Sequence, residues 1–527
     1  MNNWRRQVQA SLKSRSDDKA YAKRVGALTV VTVLAKVVGA LYRIPLTNVI
    51  GAEGVGVYQL VFSIYALAIA LTSSFHTTLI SRQVAAYRAL DEGEKARGYF
   101  LTALLEGGVS ALLVAGILFL FGEAIAGAQG AVGGGVGYRV ISPAVLFVSF
   151  LSALKGWFNG NMRLAPTAAS LLIEQTVKLG VGLSLAYLFR ERGAAQAAAA
   201  ALFGVTTAEA VAVLVLAIVY LKNRGASGLS RVPFRTVFRE GLPLRFGGVI
   251  LPLAAFADSF LIVRLLFLFG VERSAGVATY GIYAGAVNSI VNFPVVLVLA
   301  VAVAIIPVIS RSKAMRDVVS LKEKSTLTLK IALVISLPCA LALLVLAPQA
   351  IRLLYPVFSA EETALAAQLL RISSASVVFL SLTQIYAALL QSIDRADVAA
   401  EALAVSVLVR VILLCVLVPR VGAIGIAVSG LVSYALTTVL DLVKWLQYTG
   451  RVKNAVKTLA SVGLSGGIMV LAILAPAMFF ENAMVSILTS AAIGSVIYFL
   501  IILRLHVFSC KELMSMPFSS ITTKIGR

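Results

Sequence analysis

A chain of 527 residues that is 59% hydrophobic and only 13% charged carries more apolar side chain than a soluble fold of its size buries. Its apolar residues fall in runs of about 20, the length that crosses a bilayer core, which excludes a soluble globular protein. The net charge of +22 sits on short polar segments between those runs, which argues against nucleic acid as a partner and reads instead as membrane topology.

About 14 apolar spans follow in chain order, centred near residues 36, 67, 110, 147, 178, 209, 256, 293, 337, 379, 411, 435, 469 and 495. With the N-terminus in the cytoplasm, cytoplasmic loops and tails hold roughly 34 of the 46 Lys and Arg residues and the opposite side about six. An even number of spans returns the C-terminus to the same side. The expected organisation is a basic cytoplasmic tail (1–24), an N-lobe of spans 1–6 (25–221), a basic linker (222–243), a C-lobe of spans 7–12 (244–447), spans 13–14 (448–504) and a cytoplasmic tail (505–527). The basic start lacks the early apolar core and small-residue cleavage site of a signal peptide, so the first span reads as a permanent helix.

Among the polar segments, "SRQVAAYRALDEGEKARG" (81–98) reads as a short surface helix and "GAQGAVGGGVG" (127–137) as a glycine-rich outer loop. The latter has neither the strand-to-helix setting nor the Lys-Ser/Thr ending of a phosphate cradle. Three cysteines and two histidines show no disulfide or metal-ligand spacing, so neither a metal nor a cofactor is expected.

The two halves repeat weakly. "ISR" occurs at 80–82 and at 309–311. At an offset of 232, "FNGNMRLAPTAASLLIEQTVKL" (158–179) aligns with "LQSIDRADVAAEALAVSVLVRV" (390–411), matching Asn159 to Gln391, Arg163 to Arg395 and Lys178 to Arg410. Six spans per repeat start the second half on the same side as the first. The repeats are therefore parallel, with a cavity expected between two six-helix bundles and alternating access by rocking.

Ionisable groups inside spans cost about 2.5–3.5 kcal/mol each on insertion scales and face a cavity or a partner. About six cations fall there (Lys36, Arg43, Lys178, Arg264, Arg371, Arg410) against about three carboxylates (Glu106, Glu174, Asp258). Lys36 and Arg43 are seven residues apart and share a helix face. Three readings stay open for them: snorkelling to headgroups, pairing with a carboxylate of another span, or a cationic wall that receives an anion. Glu174 and Lys178 stand at i, i+4, the spacing of an intrahelical pair that would also line the cavity. Asp258 and Arg264 point to different faces; Asp258 is a candidate partner of Lys36 or a carrier of a coupling ion. Asn288 and Asn292 share a face as helix-to-helix glue or cavity lining, ahead of Pro294, which is expected to kink or interrupt its helix. Arg410 has no obvious partner in its own span. The chain has no Asp-x-Asp triad, Ser-His-Asp or His-Glu-x-x-His arrangement, and no Walker loop, so transport without covalent chemistry is expected rather than an enzyme.

Four stretches carry a family resemblance: "LAKVVGALYRIPLTNVIGAEGVGVYQL" (34–60), "LKGWFNGNMRLAPTAASLLIEQTVKL" (154–179), "LPLAAFADSFLIVRLL" (251–266) and "YGIYAGAVNSIVNFPVVLVLAVAVAIIPVISR" (280–311). They resemble the stage V sporulation protein B group and the MurJ-like lipid II flippases of the multidrug/oligosaccharidyl-lipid/polysaccharide exporter superfamily. The resemblance implies an all-α polytopic fold of the MATE-like type, two lobes of parallel six-helix repeats plus two C-terminal helices. It further implies a flippase in the bacterial cytoplasmic membrane for a polyprenyl-diphosphate-linked saccharide, lipid II or another envelope precursor. In such proteins a cationic cavity takes the diphosphate and the last two spans form a groove for the polyprenyl tail. By that resemblance Lys36, Arg43, Lys178, Arg264 and Arg410 are the candidate headgroup ligands, Glu174 and Asp258 the coupling or pairing acids, and Asn288 and Asn292 polar cavity residues. Lys36 stands where the group commonly carries arginine, and the group's second arginine falls at the position of Tyr42. Membrane lipids and cell-envelope synthesis enzymes are the further partners implied. Three alternatives remain: a MATE-type drug or cation antiporter, which needs an acid-rich cavity; a membrane glycosyltransferase or polymerase, which needs clustered catalytic acids; and a scaffold, which needs no intramembrane cations.

Overall fold

The structure is a computed structural model that describes residues 28–131, 133–223, 230–450 and 455–508, with single positions at 26, 228 and 512. The expected basic N-terminal tail, part of the linker and most of the C-terminal tail, with Cys510, lie outside the described residues. About 90% of the described residues are helical and none of them is in a strand.

Among the described residues, twelve helices, or thirteen with one bent pair, are long and apolar enough to cross a membrane. One of them, Leu28–Ala89, is 62 residues long and holds the first two expected spans. The run comprises α1 (28–41), α2 (Arg43–Thr72) and α3 (His76–Ala89). Its sharpest internal break is Gly51, at φ 71° and ψ −179°, a conformation that side chains resist and glycine allows. The bent pair is α13 (Ala360–Ser374) with α14 (Ser376–Ser392), which turn by 43°. Large apolar side chains such as Leu120, Leu188 and Leu471 are exposed by more than two-thirds, as a surface facing lipid requires.

Two compact units divide the chain: residues 1–264 with Glu272–Gly281, and Leu265–Val271 with residues 282–527. The first contains α1 to α3, α4 (Gly93–Gln129), α5 (Gly135–Gly160), α6 (Leu164–Val177), a π-helical turn (Lys178–Gly182), α7 (Leu183–Phe189), α8 (Ala194–Asn223), nearly all of α9 (Phe234–Leu268) and α10 (Arg273–Gly281). The span that opens the second sequence repeat, α9, thus packs with the first unit. The second unit contains a π-helical turn (Ile282–Val287), α11 (Asn288–Ala314), α12 (Val318–Leu354), α13, α14, α15 (Ala396–Val421), α16 (Ala423–Thr449), α17 (Ala455–Phe479) and α18 (Ala483–Arg504).

The repeat is visible in local geometry as well as in sequence. In the first unit the amides of Met162 and Arg163 donate to Asn159 and Phe158; in the second, those of Asp394 and Arg395 donate to Gln391 and Leu390. Met162 and Asp394 take matching left-handed φ values of 59° and 61°. A second matched turn puts Asp91 and Arg316 at φ 57° and 53°, their amides donating to Arg88 and Lys313. Parallel repeats in sequence have become the same turns in space.

Three sequence expectations change here. Residues 81–98 do not form a separate surface helix: α3 runs to Ala89, and α4 begins at Gly93 after a tight turn. The glycine-rich connection is confined to 130–134, because α4 continues to Gln129 and α5 begins at Gly135. Pro294 does not interrupt its helix; α11 passes through both Pro294 and Pro307, and the irregular turn precedes it at Ile282–Val287.

The core of the first unit is aromatic where α4, α5 and α8 meet, with Phe100, Trp157 and Tyr220 rings 5.0–5.7 Å apart. Beside it, α9 is fastened to α3 and α4 by ionic contacts. Glu240 accepts from Gln83 at 2.9 Å and from Tyr99 at 2.7 Å. Deeper, Glu106 on α4 accepts from the Arg245 guanidinium at 2.7 Å and meets His76 Nε2 at 2.7 Å. Arg245 also lies over the Phe75 ring, 4.6 Å from its centroid.

Glu106 is only 2% exposed, so removing its cation leaves a charge with no water to take up the loss. Arg245→Ala should cost about 3–5 kcal/mol of stability. Glu106→Gln should cost less, because Arg245 keeps some access to solvent at 14% exposure. Thermal unfolding in detergent checks this; equal losses would show that the carboxylate is not the buried charge that matters.

Candidate functional site

Polar side chains converge inside the first unit where α1, α2, α5, α6 and α8 approach one another. The approach depends on glycine: Gly204 of α8 lies against the backbone of Gly182, leaving no room for a Cβ at Gly204. The same contact sits at the end of the π-helical turn that begins with Lys178. The wide turn shifts the register of the residues that follow Lys178, which itself still donates its amide to the Glu174 carbonyl.

Lys178 Nζ rests over the Tyr42 ring, 5.0 Å from its centroid, and its charged neighbours are Arg43, Glu209 and Glu174. Arg43 also neighbours Tyr58. Glu174 does not pair with Lys178 along the helix, as its spacing suggested. Its Oε1 accepts from Lys155 Nζ of α5 at 2.6 Å, with both side chains under 15% exposed. The cross-helix pair forms because Lys155 reaches Glu174 from the facing helix, while Lys178 extends to the Tyr42 ring. Glu209 of α8 lies near Glu174, Lys155 and Lys178, and Tyr65 of α2 lies near both carboxylates.

Three cations (Arg43, Lys155, Lys178) therefore face two carboxylates (Glu174, Glu209), an excess of one positive charge when both acids are ionised. Four buried atoms of this cluster have no partner among the described residues: Tyr42 Oη, Tyr65 Oη, Gln175 Oε1 and Glu209 Oε2. Such an arrangement can hold an anion on Lys178 and Arg43, and Glu209 can take up or release a proton beside it.

The remaining sequence candidates are scattered. Lys36, two turns before Arg43, is exposed, as are Arg264 and Arg371. Asp258 is half-buried on α9; its neighbour Ser259 accepts from Gln129 at 3.0 Å. In the second unit Arg410 is 6% exposed, with Nη2 3.5 Å from the Tyr283 hydroxyl. Asn292 is exposed and its side chain donates to the backbone carbonyl of Asn288 at 2.7 Å.

Several polar residues escaped the sequence reading. Lys155 lies near the end of its span and reads as a flanking charge. Glu209, in "TTAEAVAV", and Asp441, in "TTVLDLVKW", are single acids inside apolar helices. Asp441 is fully buried on α16, beside Tyr386, and neither carboxylate oxygen has a partner among the described residues. A lone acid in an apolar run was the available signal for both. No group of His, Cys, Asp and Glu suited to a metal occurs among the described residues.

Comparison with known proteins places the chain. A family model described as polysaccharide biosynthesis protein matches residues 21–313, and a MatE model matches 252–417. Among curated proteins of Bacillus subtilis (strain 168), the chain is 25% identical to the uncharacterized membrane protein YabM, with 94% of each chain covered. It is 24% identical to the lipid II flippase MurJ over 80% of this chain and 82% of that one. Stage V sporulation protein B is 22% identical over 92% and 95%. Among solved structures, the lipid II flippase MurJ in an inward closed conformation superimposes with a TM-score of 0.73 at 14% identity, covering 91% of this chain and 98% of that one. An inward-facing multidrug resistance MATE family transporter of the MOP superfamily gives 0.61 at 17% identity, covering 79% and 96%.

The contact of Lys178 with Tyr42 makes a prediction independent of cargo. Tyr42→Phe keeps the ring and removes a buried hydroxyl without a partner, so thermal stability should hold or rise. Tyr42→Leu removes the ring face and should cost up to about 2 kcal/mol, read as a lower unfolding midpoint. Equal losses in the two variants would show that the hydroxyl, not the ring, serves Lys178.

Proposed function

Because the chain belongs to the polysaccharide biosynthesis protein family, within the MOP superfamily of multi-pass membrane flippases and transporters, we propose that it moves a polyprenyl-diphosphate-linked saccharide across the bacterial cytoplasmic membrane by alternating access. Lipid II, the cargo in the name of the relative MurJ, and other cell-envelope polysaccharide precursors share that chemistry. Both termini lie in the cytoplasm in this reading, as the distribution of Lys and Arg asks.

The observation that supports the proposal is an apolar cavity of about 470 Å³ between α12 and the two helices beyond the repeat. It is lined by α12, α17 and α18, with Leu343, Met469, Ile473 and Phe499 among its walls. Tyr498 closes one side by donating to the Val334 carbonyl at 3.1 Å. A hydrophilic cation needs no such apolar recess, whereas an isoprenoid tail is suited by one. The cationic cluster of the first unit supplies the other half of the ligand's chemistry: Arg43 and Lys178 suit a diphosphate, with Lys178 as a point charge and Arg43 as a bidentate donor.

A second reading, a MATE-type drug or cation antiporter, is favoured by one observation. The Glu209 carboxylate sits in the same cluster with one oxygen unpartnered among the described residues, the feature that a cationic cargo or a proton would use.

Proteoliposomes test both. With fluorescent lipid II and a generic polyprenyl-diphosphate sugar as cargo, the wild type should accelerate transbilayer movement of at least one. Arg43→Gln and Lys178→Gln should each slow it more than tenfold, and Lys36→Gln should have a smaller effect. Leu343→Trp, which fills the apolar recess, should slow polyprenyl cargo while leaving any movement of a hydrophilic cation unchanged. Cation–proton exchange without lipid movement would select the second reading.

A further inference from the structure

A second cavity, of about 560 Å³, lies at one end of the first unit, where α3, α5 and α8 finish. Its walls include Arg88, Trp157, Asn161, Met162, Arg163 and Tyr220. Arg88 Nε donates to Asn161 Oδ1 at 3.0 Å, and its guanidinium stands over the Trp157 ring, 5.7 Å from the centroid. Asn161 in turn donates to the Trp157 carbonyl at 2.8 Å, so Arg88 is held over a fixed ring rather than left to swing. Neither Arg88 nor Arg163 makes an ion pair with a described residue.

The chain carries its own control. The matched turns described above make Lys313 the counterpart of Arg88, Arg395 that of Arg163, and Asp394 that of Met162. In the second unit both cations are paired: Lys313 with Asp394 at 2.7 Å and Arg395 with Asp397 at 3.2 Å. In the first unit the positions of those two acids hold Met162 and Ala165. The turns and the two cationic positions are kept, and the acids that pair with them in the second unit are not. The arginines are not needed to complement the helix C-termini, because the turns after α3 and α5 supply amides to the terminal carbonyls of Tyr87, Arg88, Trp157 and Phe158.

We propose that this corner of the first unit binds a phosphoryl group, with Arg88 and Arg163 as its ligands and Trp157 as the flat wall on which the attached moiety rests. Guanidinium groups match phosphate oxygens in pairs, and an indole face suits the apolar part of a headgroup. The two sources of such a group are the headgroup of an anionic phospholipid and a soluble phosphate compound. The site is separate from the Lys178 cluster and does not depend on what the protein transports.

Trp157 reports on its own site. The full-length protein in detergent is titrated with short-chain phosphatidylglycerol, with phosphatidylcholine of the same chain length, and with glycerol phosphate. The fluorescence of Trp157→Phe is subtracted to remove the other two tryptophans. The expected result is a saturable change with phosphatidylglycerol or glycerol phosphate and none with phosphatidylcholine. Saturation by the lipid alone assigns a membrane headgroup, and saturation by glycerol phosphate assigns a soluble ligand. Arg88→Gln/Arg163→Gln should raise the apparent Kd at least tenfold. So should Met162→Asp, which copies the acid of the second unit at a left-handed position that aspartate tolerates. Unchanged thermal unfolding midpoints show that both variants fold. No saturable response, an equal response to phosphatidylcholine, or a response that survives either variant overturns the proposal.

Discussion

A charge inside a membrane protein has to find its counter-charge, or a ring or hydroxyl, within the protein itself. Most of what is distinctive in this chain follows from how it meets that demand. Glu106 is held by Arg245 and His76, Glu174 by Lys155, and Lys178 by the face of Tyr42. Each contact joins different helices, so each also fixes a helix in place. The Glu106 contacts are the clearest case: together with Glu240 they bind α9 to α3 and α4, and the span that begins the second sequence repeat packs with the first unit.

The helix count, the absence of strands and the repeat were legible because each rests on a periodic signal. Apolar runs of about 20 residues are self-announcing, and a turn fixed by a left-handed residue leaves the same polar punctuation in both halves, Asn159–Arg163 and Gln391–Arg395. Contacts between helices were not legible, and for a physical reason. Sequence spacing tells which residues share a helix face, but not which residue a neighbouring helix brings opposite. Glu174 and Lys178 are four residues apart, and spacing alone makes them a pair; Lys155, 19 residues before Glu174, takes that place across the helix interface. The π-turn at Lys178 adds a change of register that no propensity marks.

The same limit affected the count of buried charge. Six cations against three carboxylates suggested a strongly cationic interior. Lys155, Glu209 and Asp441 belong in that count, and in the cluster around Lys178 the excess is a single positive charge. Part of the expected cationic set, Lys36 and Arg264, is exposed. The anion site proposed for the first unit thus rests on a few groups close together, Arg43 and Lys178 above all, and not on a general surplus of cations.

The repeat gives a way to separate what the fold needs from what a site needs. The backbone turns at Met162 and Asp394 serve the fold and are matched between the halves, as are the cationic positions Lys178 and Arg410. Positions that differ are not required by the fold. At the offset of 232, the pair Lys155–Glu174 corresponds to Ala387 and Ser406. Ser406 spends its hydroxyl on the Ala402 carbonyl, and its own carbonyl accepts from Ser433. The second unit therefore folds around its buried cation without a counterpart of the Lys155–Glu174 pair. That pair, with Glu209 beside it, is a charge-handling feature of the first unit, placed around the one lysine whose positive charge the site would need in order to hold an anion.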